Sequence, residues 1–270
     1  MNMSLHWLRI RAIARRHWYV LLRSPHRLFD VTVWPLIDVL LFGSIGVYFT
    51  RGGGPPTHAS QVAFGYMLAG VLLWHVVYQS SIGLATGFME ETWSRNLLNL
   101  IVTPMTEIDY IGGVALFGLV KLATGLIVVA LTGLGFYAFH VTDLGVAAIP
   151  IVAILLAVGW DIALIVIALT LRFGSSAEPL AWGLLFLVMP LSGVFYPIRA
   201  LPWLLRPIAR ALPTTHAFTA ARAIYAGRSL PWREVGIAAV SAVGLTALAL
   251  MFTAAMLATF RRRGFVTRYS

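Results

Sequence analysis

The chain contains no cysteine, one lysine and few charged residues of any kind. Without cysteine it can form no disulfide, no thiolate metal site and no cysteine nucleophile. Charged residues make up 11% of the 270 positions, whereas a soluble domain has about a quarter. Hydrophobic residues make up 59% of the chain, and its mean hydropathy is +0.84. This composition excludes an ordinary soluble domain and indicates a membrane protein that crosses the bilayer several times.

Catalytic motifs are also absent. A phosphate-binding loop needs two glycines with four residues between them, followed by lysine and then serine or threonine. Gly113 and Gly118 have this spacing, but Leu119 occupies the lysine position and Lys121 lies inside an apolar run. The seven histidines are scattered, with no HExxH pattern, and no GxSxG sequence occurs. We therefore expect no catalytic residue, metal or cofactor in this chain, so that any ATP and Mg²⁺ would be bound by a partner subunit.

The net charge of +10 is concentrated at the two ends of the chain and in one late segment. Six arginines precede the first apolar run and four follow the last one. Because positive charge marks the cytoplasmic side of a membrane protein, an even number of spans places both termini in the cytoplasm. The arginines between residues 199 and 233 would then face outward, which we attribute to a segment folded against the membrane. Membrane orientation explains this charge more simply than a nucleic-acid partner, and we expect none.

Residues 1–28 predict an amphipathic helix, and residues 261–270 form a basic cytoplasmic tail. Between Leu5 and Arg23, the predicted apolar face contains Trp7, Ile10, Ala14, Trp18 and Leu21, and the basic face contains Arg9, Arg16 and Arg23. A helix of this kind lies flat among lipid headgroups with its tryptophans directed inward. The alternative is an ordinary surface helix.

Residues 29–260 predict an all-α domain of six transmembrane helices, since a span needs roughly 20 apolar residues. The predicted spans are Val31–Phe49, Val62–Phe88, Tyr110–Phe139, Val146–Leu171, Ala177–Ser192 and Val235–Phe260. Charges inside a span are costly unless they pair or face water. We therefore predict that Lys121 is neutralised by Asp161 or Asp38. Such a pair is either a buried strut without a transport role or part of a proton relay.

Residues 193–230 are apolar but broken by prolines, and they contain two helical pieces that are too short to cross the bilayer. Backbone that is not helical survives at membrane depth only where protein or water satisfies its polar groups. We predict a re-entrant hairpin at the outer surface. Its aromatic residues, Phe195, Tyr196, Trp203, Phe218 and Tyr225, would guide a substrate at its exit or else form an interfacial belt.

A polar island, FMEETWSRNLLNLIVTPMTEID at residues 88–109, separates two long apolar runs and contains four of the ten acidic residues. Read as a helix, one face carries Trp93, Leu97, Leu100 and Ile101, and the opposite face carries Glu91, Arg95 and Asn99. This pattern indicates an amphipathic helix over residues 89–104, with one face free for a soluble partner. The alternative is an ordinary polar loop between two spans.

This layout, together with three segments, resembles the integral membrane permeases of the ABC-2 exporter family. The segments are TWSRNLLNLIVTPMTEIDYIGG at residues 92–113, LSGVFYPIRALPWLL at residues 191–205 and LPTTHAFTAARAIYAG at residues 212–227. The resemblance implies a bacterial inner-membrane dimer, homomeric or heteromeric, with two ABC ATPase subunits. It also implies the export of an amphipathic drug, lipid, or lipid-linked or polymeric glycan.

In such an exporter, the ATPase subunits would push a coupling helix at residues 89–104. The contacts that the resemblance implies are Glu90, Glu91, Arg95, Asn96, Asn99, Thr103 and Pro104. Two other classes of protein stay open as alternatives. A secondary transporter or channel would need a polar path and often inverted repeats, and an intramembrane enzyme would need clustered histidine, aspartate or glutamate near one membrane face. Transport or turnover without an ATPase would favour these alternatives.

Overall fold

The computed structural model describes residues 3–51, 58–93, 106–140, 142 and 145–263, which are almost entirely helical and include no β-strand. The α-helices within these ranges are α1 (Met3–Leu22), α2 (Pro25–Arg51), α3 (His58–Trp93), α4 (Glu107–Tyr137), α5 (Ala148–Phe173), α6 (Glu178–Leu191), α7 (Arg206–Ala211), α8 (Pro213–Tyr225) and α9 (Trp232–Arg263). Short 3-10 turns occupy Gly174–Ala177 and Ile198–Ala200. The prediction of an all-α membrane protein is confirmed for this part of the chain.

Five of these helices are long and apolar enough to cross a membrane. They are α2, α3, α4, α5 and α9, whose apolar stretches run for 22 to 28 residues. The fifth predicted span, Ala177–Ser192, corresponds to α6, which has only 14 residues. At 1.5 Å per residue this helix is about 21 Å long, shorter than the roughly 30 Å of a hydrocarbon core. Helix α6 by itself is therefore too short to cross the bilayer.

The chain must nevertheless return across the bundle between α5 and α9, because these two helices lie side by side in the same direction. Thr246 Oγ1 donates to Asp161 Oδ2 at 2.9 Å, and Thr253 Oγ1 donates to the Leu164 carbonyl oxygen at 3.1 Å. From the first bond to the second, the residue number increases along both helices, which requires a parallel arrangement. The intervening residues 174–231, including α6, α7 and α8, carry the chain back from the C-terminal end of α5 to the N-terminal end of α9.

Helix α3 occupies the centre of the bundle. Most residues of its apolar stretch Ala63–Glu90 are buried, and it packs against α2, α4, α5, α6 and α8. Two glycines allow its neighbours to approach closely. A side chain at Gly83 would contact Gly118 of α4, and one at Gly159 of α5 would collide with Ser80 of α3. Small residues at helix contacts permit the tight packing that holds membrane helices together.

Helix α1 lies along the first turns of α4. The sequence predicts a helix at Leu5–Arg23, and a helix is present at Met3–Leu22. Its buried stripe is formed by Ile13, His17 and Leu21, and the His17 ring stacks on Phe117 of α4 at a centroid distance of 5.4 Å. Its location among lipid headgroups stays a prediction.

Candidate functional site

The connection between α3 and α4 is the part of the molecule for which the sequence predicts a coupling function. Residues 94–105 lie outside the described residues, and with them the predicted contacts Arg95, Asn96, Asn99, Thr103 and Pro104. The start of the predicted segment, residues 89–93, forms the last turns of α3 rather than a separate helix. The structure therefore defines how the two flanks of this connection are held.

The first flank is held by an ion pair between α2 and α3. Arg27 Nη1 donates to Glu90 Oε2 at 2.9 Å, and the two side chains are 29% and 26% exposed. The pair joins the first turn of α2 to the last turns of α3. Sequence reasoning named Glu90 but missed Arg27, because nothing in the linear pattern shows that α2 begins beside the end of α3.

The second flank is held by a capping box at the start of α4. The Asp109 backbone amide donates to Thr106 Oγ1 at 3.2 Å, and the Thr106 amide donates to Asp109 Oδ2 at 3.2 Å. These bonds satisfy amide groups that have no partner in the first turn of a helix. A threonine followed three residues later by an acid, directly before an apolar run, is the sequence signal that predicts this cap.

Asp109 also joins α4 to α1. Its side chain is fully buried and hydrogen-bonds to His6 Nδ1, while Arg9 Nη1 donates to Asp109 Oδ2 at 3.4 Å. Burial raises the pKa of Asp109, but the hydrogen bonds from His6, Thr106 and Arg9 outweigh it and lower the pKa to about 2. The carboxylate therefore stays charged at neutral pH and ties α1 to the start of α4.

Both flanks of the connection are thus fixed to the N-terminal helices. Glu90 is bonded to α2 through Arg27, and Asp109 is bonded to α1 through His6 and Arg9. A displacement of the connection would consequently act on four helices, α1 to α4, rather than on the two that it links.

Lys121 pairs with a carboxylate different from the two that the sequence predicted. Its Nζ lies 3.0 Å from Asp30 Oδ2 of α2, and Tyr78 Oη donates to Asp30 Oδ1 at 3.5 Å. The prediction of Asp38 and Asp161 rests on the depth of each Cα atom along its span. This prediction is wrong because a lysine side chain extends well away from its Cα atom and because Asp30 precedes the predicted start of the first span.

The two predicted carboxylates lie in other surroundings. Asp161 accepts its hydrogen bond from Thr246 of α9. Asp38 is half-buried on α2, and within the described part of the chain no hydrogen bond or ion pair of its side chain is found. The structure thus brings Lys121 together with neither of them.

The five aromatic residues predicted at the outer exit have different surroundings in the structure. Phe218 is fully buried in the core. Phe195 stacks on Phe42 at 4.3 Å, and Tyr225 stacks on Phe139 at 6.1 Å. Tyr196 Oη donates to the Pro190 carbonyl oxygen, and Trp203 is 73% exposed. Burial of this kind could not be read from the sequence, because it depends on how α8 packs against α3 and α5.

The segment after α6 is fixed to the bundle by an arginine that sequence reasoning missed. Gly193 has a φ of 63°, a left-handed conformation that suits glycine. Its carbonyl oxygen accepts from Arg222 Nη2 at 2.9 Å and from Tyr66 Oη at 3.3 Å. The Arg222 guanidinium also lies 4.7 Å from the centre of the Tyr66 ring. These contacts hold the chain after α6 against α3.

The sequence model of a family described as "ABC-2 family transporter protein" matches residues 53–260, a range that runs from before α3 to near the end of α9. No curated protein matches the chain.

Proposed function

Because the chain belongs to the ABC-2 family of transporters, we propose that it is the transmembrane permease of an exporter whose ATP is hydrolysed by separate subunits. The family match confirms the resemblance found in the sequence motifs, and it covers most of the chain. Its helices provide the membrane-embedded part of a transporter. The proposal adds to the family match that transport is directed outward and that two separate ATPase subunits drive it.

The ion pairs that hold the two ends of the α3–α4 connection support this proposal most directly. We place the docking site of the ATPase subunits at residues 89–104, with Glu90, Glu91, Arg95, Asn96, Asn99, Thr103 and Pro104 as the contacting residues. Closure of the ATPase subunits would push this segment. The ion pairs of Glu90 with Arg27 and of Asp109 with Arg9 would pass the movement to α2 and α1.

The transport path is proposed to lie between two copies of this chain. Helix α2 presents an apolar face whose large side chains are uncovered in the single chain: Trp34, Ile37, Leu41 and Ile45. A second copy packed against this face would cover it. The Lys121–Asp30 pair acts as a strut between α4 and α2.

The crossing between α5 and α9, which is the fifth in chain order, is proposed to consist of α6 followed by the re-entrant hairpin at residues 193–230. Helices α7 and α8 have 6 and 13 residues, too few to cross. The bond from Tyr66 to Gly193 attaches the start of the hairpin to a residue within the apolar stretch of α3. In this arrangement both termini are cytoplasmic, in a bacterial inner membrane, and the exposed Trp203 lies near the outer exit.

Copurification tests the proposal. The tagged chain is expressed with candidate ATP-binding subunits from its own genome, and the amount of ATPase retained after solubilisation is measured. The Arg95→Glu variant should retain at least about tenfold less ATPase, because a like charge placed against a complementary surface costs several kcal/mol. The matched control is Arg228→Glu, the same charge reversal at an exposed residue near the start of α9, which should retain the wild-type amount.

The same preparation distinguishes the alternatives. Failure of the wild-type chain to retain the ATPase would contradict the proposal. Flux through proteoliposomes that contain the pure chain and no ATP would instead indicate a secondary transporter or channel. Turnover of a membrane substrate by the pure chain would indicate an intramembrane enzyme.

A further inference from the structure

A groove runs between α1 and α4, on the surface of the bundle. It has a volume of about 620 Å³, and its lining includes Arg11, Ala12, Arg15 and Trp18 of α1 and Leu116 and Val120 of α4. The wall formed by α4 belongs to the apolar stretch Gly112–Tyr137, and Val120 is 42% exposed within it. The wall formed by α1 carries the two arginines. One side of the groove is therefore apolar along its length, and the other side is cationic.

The two arginines of the groove have no acidic partner among the described residues. Helix α1 itself contains no aspartate or glutamate. Asp109, at the start of α4, is bonded to His6 and Arg9 instead. Arg15 Nε donates to the Tyr19 hydroxyl at 3.0 Å, which does not compensate its charge. In the part of the chain that the structure describes, no acidic side chain thus balances Arg11 and Arg15.

We propose that this groove binds an anionic phospholipid. Its phosphate would accept hydrogen bonds from the guanidinium groups of Arg11 and Arg15, which match phosphate oxygens in geometry and charge. One acyl chain would lie along Leu116 and Val120, where α4 is apolar and uncovered. The charge of the groove favours an anionic headgroup over a zwitterionic one, because each arginine near the surface attracts acidic lipid.

The bound lipid links α1 to α4 at a second place, independent of the Asp109 contacts. Asp109 holds the N-terminal part of α1, through His6 and Arg9. The lipid holds the middle of α1, where Arg11, Arg15 and Trp18 line the groove. The proposal does not depend on the ATPase partner, so it can be tested with the permease chain alone.

Native mass spectrometry of the full chain in neutral detergent tests the proposal, with phosphatidylglycerol and phosphatidylcholine added in separate titrations. The wild type should bind phosphatidylglycerol in preference to phosphatidylcholine. The double variant Arg11→Ala, Arg15→Ala should bind phosphatidylglycerol about 25-fold more weakly, because each arginine is expected to strengthen the binding about fivefold. The matched control, Arg228→Ala with Arg233→Ala, removes the same charge from exposed residues near the start of α9 and should bind as the wild type does.

A second variant keeps every charge and fills the groove. Ala12→Trp places a large ring on an exposed position of α1, so the fold should tolerate it, and it should also weaken phosphatidylglycerol binding. Equal affinity of the wild type for the two lipids would overturn the proposal, and so would equal losses in the arginine double variant and its control. Unchanged lipid binding with loss of the ATPase subunit or of the second copy would assign the groove to a protein partner instead.

Discussion

Arginine is used differently at the two ends of the bundle. Near α1, Arg9 and Arg27 pair with the carboxylates of Asp109 and Glu90, which belong to other helices. At the opposite end, Arg222 donates to the carbonyl oxygen of Gly193, and Arg206 donates to those of Arg199 and Leu201. The distribution of acidic residues along the chain explains the contrast, since four of the ten lie between residues 90 and 109 and none lies between 179 and 233.

The two arrangements suit different mechanical tasks. The Arg27–Glu90 pair is partly exposed on both sides, and such pairs contribute little to stability, so it can break and re-form while the buried Asp109 keeps α1 beside α4. Bonds from a partly buried guanidinium to backbone carbonyls fix one local conformation, because hydrogen bonds to charged groups contribute more to stability than neutral ones. We therefore expect the α1 end to move during transport and the segment after α6 to stay folded.

The largest effect on stability is expected from the intramembrane pair that lies between these two ends. Asp30→Asn leaves Lys121, whose side chain is 9% exposed, without its anion and should lower the free energy of unfolding by about 3 kcal/mol. Denaturant unfolding in detergent measures this change. The double variant Asp30→Asn, Lys121→Met should recover most of the loss, since the buried cation is then removed together with its partner. A double variant as unstable as the sum of its single variants would contradict the pairing.

The segment after α6 should show the next largest effect. Arg222→Met removes the charged donor to Gly193, and the free energy of unfolding should fall by about 2 kcal/mol. Arg228→Met is the matched control, because Arg228 is exposed and its loss should have little effect on stability. If both variants unfold alike, the bond from Arg222 does not hold this segment.

The pH dependence of the α1 end follows from Asp109. Its pKa is about 2 in the folded chain, against about 3.9 for an ordinary aspartate. A group whose pKa is lowered on folding contributes stability above its ordinary pKa and loses that contribution as the pH falls through the folded value. The link between α1 and α4 should therefore persist from neutral pH to about 4 and be lost between about pH 4 and 2.

A fluorophore at position 8 on α1, attached through a Leu8→Cys substitution, reports this release. In the wild-type background its emission should change only in the acidic range given above. In an Asp109→Asn background α1 should already be loosened at neutral pH, and the acid transition should be absent. Superimposable titrations in the two backgrounds would show that Asp109 does not hold α1.

The smallest effect on stability is expected at the Arg27–Glu90 pair. Because both side chains are partly exposed, a double-mutant cycle with Arg27→Ala and Glu90→Ala should give a coupling free energy of about 0.5 kcal/mol. The ATP-dependent flux of the assembled transporter should fall more than this stability change suggests, since the pair transmits movement from the connection to α2. Unaltered flux in both single variants would exclude that role.

The sequence predicted the features that depend on composition and local pattern. The apolar runs identified the five long spans, and the basic periodicity identified the helix at α1. Features that depend on packing could not be predicted. The pairing of Lys121 with Asp30 depends on the reach of a side chain between α4 and α2. The burial of Phe218 depends on where α8 lies, and no periodicity in its 13 residues reveals that position.

The central claim is that residues 89–104 receive force from a separate ATPase. Since the chain has no cysteine, one introduced cysteine is enough to test it. Asn99→Cys, treated with a short bifunctional maleimide reagent in membranes that contain the ATPase subunit, should cross-link to that subunit. Arg228→Cys, near the start of α9, should not. Absence of an Asn99→Cys cross-link, together with labelling of this cysteine from outside intact cells, would contradict the account.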